Sequence, residues 1–352
     1  MAHRSLFARY ELTMDVHRRS APPFWRDERR LAILAQVLFI LLVLAALWAA
    51  GEALRDSFQR RNIRLDWSFW RQNAGFELSA LSWTIDLETL SLKRYDPGDS
   101  TGEAMIAGFF NTIKVAVLGI SLATFLGIVA GVARLSRNWL VSRLALGYVE
   151  VLRNTPLLVQ LFFWYFAVIL QLPNGSPGQP PLRLFGDAIV LTNSGLAFGG
   201  TVVDRFGRLV VDGGFQLTPE FAALVIGLAA YTSAFIAEII RGGILAVSRG
   251  QMEAARSVGL SYGKSLRLII LPQALRIVIP PLGNQFLNLT KNSSLAIGIG
   301  FAEFLTAAST VSSQTFRSLE AYTVVTLGYL MLSLTISALL NLVRSRLALP
   351  GH

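Results

Sequence analysis

Cysteine is absent from the 352 residues, and the only three histidines are His3, His17 and His352, near the two ends. The missing thiols exclude disulfides and thiolate metal sites. Because histidine is confined to the ends, the body of the chain has no imidazole for a metal centre or a catalytic triad. A membrane-bound enzyme would need a carboxylate or serine–lysine site, and the sequence assembles none.

Charged residues are also scarce, at 15% of the chain, whereas 53% of the residues are hydrophobic. Soluble domains carry about a quarter charged residues, so lipid is expected to face much of the surface. The net charge of +10 is shared with nucleic-acid-binding proteins. Here, however, the basic residues cluster between apolar runs, as the positive-inside rule describes. We therefore expect an integral membrane protein that contacts lipid and binds no nucleic acid.

Six apolar segments are long enough to cross a bilayer as helices. They cover residues 31–50, 105–131, 146–171, 219–242, 269–291 and 321–343. The first exceeds the apolar run of about 7–15 residues in a signal peptide, which indicates an uncleaved anchor. The sequence thus predicts an all-α integral membrane fold with about six transmembrane helices.

The basic loops lie on one predicted side of the membrane. They contain Arg134, Arg137 and Arg143 after the second span, Arg249 to Arg267 after the fourth, and Arg344 and Arg346 after the last. This distribution places both termini in the cytoplasm. Residues 1–104 are predicted to hold the cytoplasmic N-terminus, the first span and a Trp-containing interfacial segment. Residues 105–345 form the membrane core, and 346–352 a cytoplasmic tail.

A small outer insertion is expected at residues 173–217, which are rich in Gly and Pro. Within it, residues 201–203 and 209–211 are β-branched or apolar and flank a polar turn. This pattern predicts a β-hairpin. No internal repeat is evident in the chain.

A spaced motif occupies the predicted cytoplasmic loop 249–272. Glu253, Ala254 and Ala255 are followed after three residues by Gly259, and after nine more by a segment that ends in Pro272. This pattern resembles the EAA loop of ABC importer permeases at every specified position. The resemblance implies the type I importer fold and a loop that docks on an ATPase subunit.

The residue types in this segment are compatible with such a loop. We expect a short helix over 251–258, a left-handed turn at Gly259, a second short helix over 261–268, and re-entry into the membrane at Pro272. An ordinary basic helix at the membrane surface is the alternative. The stretch from Gly259 to Ser265 resembles a phosphate-binding loop, but it has three residues between its glycines instead of four, and no strand is predicted before it. We therefore expect no ATPase site in this chain.

The resemblance extends over most of residues 105–345. Segments 110–112, 150–156, 231–243 and 289–295 are similar to the polar amino-acid branch of these permeases, and the first span and outer insertion to the larger subunits of general L-amino-acid permeases. It implies a second permease chain, identical or related, and an ATPase dimer that binds ATP and Mg. It also implies a periplasmic solute-binding protein, an L-amino acid substrate, a bacterial inner membrane location, and no cofactor in this chain.

Polar residues inside the predicted spans are candidates for a substrate path. Five of them fall within an arc of about 120° on the fifth helix, namely Asn284, Gln285, Asn288, Lys291 and Asn292. They either line the path or bond to neighbouring helices. Glu238 and Arg241 either meet a zwitterionic substrate or form a structural ion pair, and residues 154–156 either break the third span or begin its helix. An ion-coupled secondary transporter is the alternative function, but Glu238, near a span end, gives it little support.

Overall fold

A computed structural model describes residues 28–60, 65–78, 82–176, 178–186, 188–205 and 208–347. The predicted cytoplasmic segment 1–27 and the end of the tail lie outside these residues. The helices are α1 Glu28–Arg60, α2 Thr101–Arg134, α3 Trp139–Asn154, α4 Leu157–Phe162, α5 Pro219–Leu245, α6 Arg249–Ser257, α7 Tyr262–Ser265, α8 Leu271–Asn292, α9 Phe304–Thr315 and α10 Ser318–Leu347.

Within this described part, five helices are long and apolar enough to span a membrane. They are α1, α2, α5, α10 and the continuous run from Tyr262 to Ile299 that contains α7 and α8. A bent pair, α3 with α4, brings the number to six. The predicted fold of about six membrane helices is thereby confirmed.

The chain has two compact units, and α1 belongs to the first of them. Its apolar side chains are exposed on all sides, with Phe39 68% and Trp48 73% exposed. A helix that is apolar all round suits a surrounding of lipid. This agrees with the predicted membrane anchor.

The predicted third span, residues 146–171, is broken near its middle, which is one of the two alternatives that the sequence left open for residues 154–156. Helices α3 and α4 meet at an angle of 108°, because Pro156 lacks a backbone N–H and forces Thr155 into an extended conformation (φ −103°, ψ 133°). The Gln160 side chain donates to the carbonyls of Leu152 (2.8 Å) and Thr155 (3.0 Å). The backbone carbonyl groups that lose their helical hydrogen bonds at the break therefore have a side-chain donor instead. Such bonds are required where lipid replaces water. After α4 the chain continues as a π-helical stretch, Phe163–Ile169.

The centre of the second unit is the packing of α2 on α5. Gly127 and Gly131, four residues apart, face α5 at close range. A Cβ at Gly127 would lie 2.5 Å from Cγ2 of Ile236, and a Cβ at Gly131 would lie 2.8 Å from the carbonyl oxygen of Ala237. Small residues at this spacing let two helix backbones approach closely.

The segment before α2 is a folded element, which goes beyond the interfacial segment that was predicted there. Strands β1 Trp83–Ile85 and β2 Leu92–Arg94 pair antiparallel. Lys93 Nζ lies 2.9–3.1 Å from carboxylate oxygens of Asp86, Asp99 and Glu103. Hydrogen bonding to Asp99, with further bonds to Glu103 and Asp86, raises the pKa of Lys93 above its usual range. The cluster fastens this hairpin to the first turn of α2.

The insertion at residues 173–217 is more ordered than the sequence indicated. It contains β3 Leu182–Leu184, β4 Ile189–Thr192, β5 Gly195–Phe198, β6 Thr201–Arg205, β7 Arg208–Asp212 and β8 Phe215–Leu217. The predicted hairpin is confirmed as the β6–β7 pair. The other four strands form an antiparallel sheet in the order β3-β4-β5-β8, which the sequence analysis did not predict.

Helix α9 was also not predicted, because it is short. Glu303 begins it by accepting a hydrogen bond from the Thr306 backbone N–H (2.9 Å). The same carboxylate accepts bonds from Thr112 on α2 (3.1 Å) and Tyr329 on α10 (2.6 Å). This fully buried group therefore ties three helices together.

Candidate coupling loop and polar transmembrane face

The loop motif folds into a helix that ends in a defined turn. Gly259 has φ +84°, as predicted for the residue after α6. The Leu260 N–H donates to the Ala255 carbonyl (3.2 Å), and the Gly259 N–H donates to the Arg256 carbonyl (3.0 Å). These are the paired bonds of a Schellman motif, which satisfies the last carbonyls of a helix. A Cβ at Gly259 would meet no atom within 4 Å, so only its backbone conformation requires glycine.

The second predicted docking helix is not separate from the membrane helix that follows it. From Tyr262 the chain runs through α7, a π-helical stretch over Leu266–Ile270, and α8 without a break. Pro272 lies within this continuous helix, two residues after the π-helical stretch. Proline has no N–H to donate inside a helix, and the π-helical stretch before it is a local adjustment that accommodates proline within a membrane helix. The predicted separate helix over 261–268 is therefore the first part of the span.

This continuity joins the loop to the membrane helix. Helix α6 packs against the π-helical stretch, and its Gln251 side chain is bonded to Gln273 of α8 (3.4 Å). Ala255 is buried on the inner side of α6, whereas Glu253 and Ala254 are exposed. The Glu253 side chain makes no ion pair or hydrogen bond to another described residue. The exposed side of α6 is therefore free to contact a partner, and a displacement of α6 would act directly on α8.

The phosphate-loop-like stretch has the wrong structural context for nucleotide binding. It follows helix α6, where a phosphate-binding loop follows a β-strand. Gly263, Lys264 and Ser265 are the first residues of the long helix, and Ser265 is buried with its hydroxyl bonded to the Ser261 carbonyl (3.0 Å).

Glu238 lies in an ionic cluster at the end of α5. Its carboxylate accepts two bonds from Arg241, at 3.1 and 3.0 Å, and contacts the Arg134 guanidinium at the end of α2. The sequence analysis paired Glu238 with Arg241 but did not identify Arg134. Charged groups near span ends that pair with one another stabilise helix contacts. The geometry thus favours the structural role that the sequence left open for Glu238.

The polar face of α8 is open. Asn284, Asn288 and Lys291 are exposed, and Gln285 and Asn292 are half-buried. None of these five side chains bonds to another described residue, whereas Gly283 and Thr290 on the opposite side of the helix are buried. The face is therefore available to a substrate or to another chain.

The chain is similar in sequence to known transport proteins. Residues 123–349 match the family model described as the binding-protein-dependent transport system inner membrane component. The general L-amino acid transport system permease protein AapQ of Rhizobium johnstonii is 33% identical, with 92% of this chain and 94% of that protein covered. The putative amino-acid ABC transporter permease protein YhdX of Escherichia coli is 36% identical, covering 95% and 99%.

A solved structure, a crystal structure of an amino acid ABC transporter with histidines, superimposes with a TM-score of 0.52 and 32% identity. It covers 69% of this chain and 94% of the solved one. YhdX and the solved structure are named as ABC transporters, and these names do not support the ion-coupled alternative. The chain belongs to the family of inner-membrane components of binding-protein-dependent transport systems.

Proposed function

We propose that this chain is a permease subunit of an ATP-driven importer that moves L-amino acids across the bacterial inner membrane. The observation that carries the proposal is the loop motif itself. Helix α6 is followed by a left-handed turn at Gly259. It exposes Glu253 and Ala254, and it is bonded to α8 on its other side. The names of the relatives support the amino-acid substrate class. The subunit performs no covalent chemistry, and a partner ATPase dimer binds ATP and Mg and hydrolyses the nucleotide.

The mechanism follows from the connection between loop and span. Closure of the ATPase dimer on ATP displaces the docked α6 helices of two permease chains toward each other. Because α6 is bonded to α8 and α8 is continuous with the loop, the displacement rotates the span. The bundle then opens to the outside and accepts an amino acid from a periplasmic binding protein, and hydrolysis restores the inward-facing state. The second permease chain is identical to this one or related to it.

The polar face of α8 is the proposed substrate path, with Asn284, Gln285, Asn288, Lys291 and Asn292 as its lining. Its exposure and its lack of bonds within the described residues support this role, because an amino acid brings both a donor ammonium and an acceptor carboxylate. Glu238 is omitted from the path, since two arginines already engage its carboxylate.

Uptake into vesicles tests the proposed function. The permease, its partner chain, the ATPase and the binding protein are reconstituted into proteoliposomes and supplied with labelled L-amino acids. We expect uptake that requires ATP and the binding protein and does not respond to a proton or sodium gradient. Uptake driven by a gradient without ATP would instead establish an ion-coupled transporter.

Topology is tested separately. We propose that both termini and the loops 134–143 and 249–267 are cytoplasmic, since these loops are basic. The chain has no cysteine, so Ser136→Cys provides a single reporter in the turn between α2 and α3. It should resist an impermeant thiol reagent in intact cells and react once the cells are opened. A control cysteine at Ser194 in the outer sheet should react in intact cells; the reverse pattern would invert the topology.

A further inference from the structure

A cavity of about 660 Å³ lies between the β1–β2 hairpin, the start of α2 and a short 3₁₀ helix, Ser68–Arg71. Several of the charges that line it are paired, because Lys93 contacts the three carboxylates described above. Two charges of opposite sign are left over. Arg71 and Glu88, in the turn of the hairpin, both line the cavity and are exposed. The side chain of neither bonds to another described residue, so the cavity offers a guanidinium and a carboxylate to a ligand.

An apolar groove of about 290 Å³ adjoins this cavity on the exposed side of α2 and α10. Ile106 and Phe109 line it from the first turns of α2, and Leu327 and Met331 line it from α10. None of the described side chains that line the groove is charged. Trp70 lines the cavity as well as the groove. The charged space and the apolar space therefore meet at one indole ring.

The groove crosses the membrane boundary that lies opposite Arg134 and Arg344. About 25 residues of helix separate Phe109 from Arg134, a rise of about 38 Å. The hydrocarbon core is about 30 Å thick, and the bilayer with its headgroups about 40–45 Å, so Phe109 lies at the level of the headgroups. Leu327 is about 17 residues from Arg344, a rise of about 25 Å, and lies within the hydrocarbon. Trp70, between the two spaces, is of the residue type that favours this boundary.

The 3₁₀ helix that carries Trp70 is held firmly on the helices behind it. Arg317, just before α10, donates to the Asp66 carboxylate (2.9 Å). The Thr101 hydroxyl at the start of α2 donates to the Phe69 carbonyl, and the Phe69 side chain is fully buried. These contacts fix the position of the cavity wall without a ligand. The site is therefore formed in advance, which lowers the entropic cost of binding.

We propose that the cavity and the groove together bind one phospholipid with an ethanolamine headgroup, in the outer leaflet of the proposed topology. Its phosphate accepts hydrogen bonds from the Arg71 guanidinium, which suits phosphate oxygens in a two-pronged geometry. Its primary ammonium donates to the Glu88 carboxylate. One acyl chain follows the groove from Trp70 toward Met331. The lipid thereby contacts the hairpin, α2 and α10 at once.

The charges distinguish this lipid from other ligands. A phosphatidylglycerol headgroup has no cation for Glu88 and places its phosphate near that carboxylate. A choline headgroup has a cation but no N–H to donate. A free amino acid carries the same two charges as the ethanolamine headgroup but leaves the apolar groove unfilled. The combination of a guanidinium, a carboxylate and an apolar groove therefore favours the ethanolamine phospholipid.

Lipid retention tests the proposal in the assembled complex of permease, partner chain and ATPase. The complex is reconstituted in vesicles with equal amounts of phosphatidylethanolamine, phosphatidylcholine and phosphatidylglycerol, extracted in mild detergent, and the retained lipids are quantified by mass spectrometry. We expect wild type to retain phosphatidylethanolamine over each of the others by about three- to tenfold, the effect of one charge-assisted bond that is partly screened by solvent. Arg71→Gln and Glu88→Gln should each remove most of this preference.

Three matched variants complete the test. Arg71→Lys keeps the charge and should keep most of the preference. Arg143→Gln removes an exposed charge from α3, at the other end of the spans, and should leave the preference unchanged. Leu327→Trp adds bulk to the groove and should lower the retention of phosphatidylethanolamine while the second permease chain and the ATPase remain bound.

Several results would overturn the lipid site. Equal retention of the three lipids by wild type is one, and an unchanged preference in both Arg71→Gln and Glu88→Gln is another. A wild-type preference for phosphatidylglycerol would contradict the role of Glu88. Loss of the second permease chain from the Leu327→Trp complex would assign the groove to that chain instead. The measurement needs neither ATP nor an amino acid, so a negative result leaves the proposed transport function untouched.

Discussion

Replacement of Gly259 by valine is expected to lower ATP-dependent uptake by about 5- to 30-fold while the membrane spans remain inserted. Gly259 has φ +84°, and a residue with a Cβ pays about 1–2 kcal/mol in the left-handed region. That penalty corresponds to a factor of about 5–30 in the population of the native turn. Without this turn α6 loses its Schellman bonds and its orientation relative to α8. Insertion should persist because it depends on apolar length and on hydrogen bonds within the helices.

A matched variant separates backbone strain from bulk. No atom lies within 4 Å of a Cβ at this position, so Gly259→Asn, which tolerates the left-handed region, should keep most of the uptake. Co-purification of the ATPase with each variant is measured beside uptake. Glu253→Lys should weaken ATPase binding less than Gly259→Val, since one exposed contact changes while α6 persists. Normal uptake by Gly259→Val would remove the coupling role of the loop.

Replacement of Asn288 by leucine is expected to lower the uptake rate by about tenfold or more with the complex intact. Asn288 is exposed at the middle of the polar face, where its amide would bond to a charged group of the substrate. Such a bond contributes about 1.5–3 kcal/mol, and each 1.36 kcal/mol is a factor of ten in rate. Uptake by the reconstituted complex measures the effect.

Assembly distinguishes the two interpretations of this face. Asn288→Gln keeps the amide and should retain most of the uptake if the face lines the path. Loss of the permease pair in detergent with Asn288→Leu would instead indicate a bond between helices of two chains. Wild-type uptake together with normal assembly would contradict both.

The predictions that the structure confirmed depend on residues close together in the sequence. The absence of charge over about twenty residues is sufficient to predict a membrane helix, and most spans lie where the sequence placed them. Gly259 was predicted to turn left-handed because helices commonly end on glycine. The β6–β7 hairpin followed from alternation about a polar turn. Each of these features depends only on neighbouring residues.

One prediction that failed, the separate helix over 261–268, and one alternative that the sequence left open, the break at residues 154–156, both concern backbone continuity. Pro156 turns the chain by 108°, whereas Pro272 leaves the long helix unbroken. The two prolines are distinguished by the conformation of the residues before them. Thr155 is extended (φ −103°, ψ 133°), while Ile270 and Leu271 stay helical. Sequence alone did not show which of the two prolines has helical residues before it.

The sequence by itself determined that this protein has about six membrane helices, approximately where they lie, and that the loop between two of them carries the EAA-like motif. Only the tertiary structure decided which charged groups meet. Arg134 and Glu238 are far apart in the chain, and they contact because Gly127 and Gly131 let α2 and α5 approach closely. Arg71 and Glu88 likewise line one cavity only because the β1–β2 hairpin is held against the first turn of α2. Apolar length and turn chemistry are encoded locally, whereas the partners of a buried charge depend on the packing of segments that the sequence does not bring together.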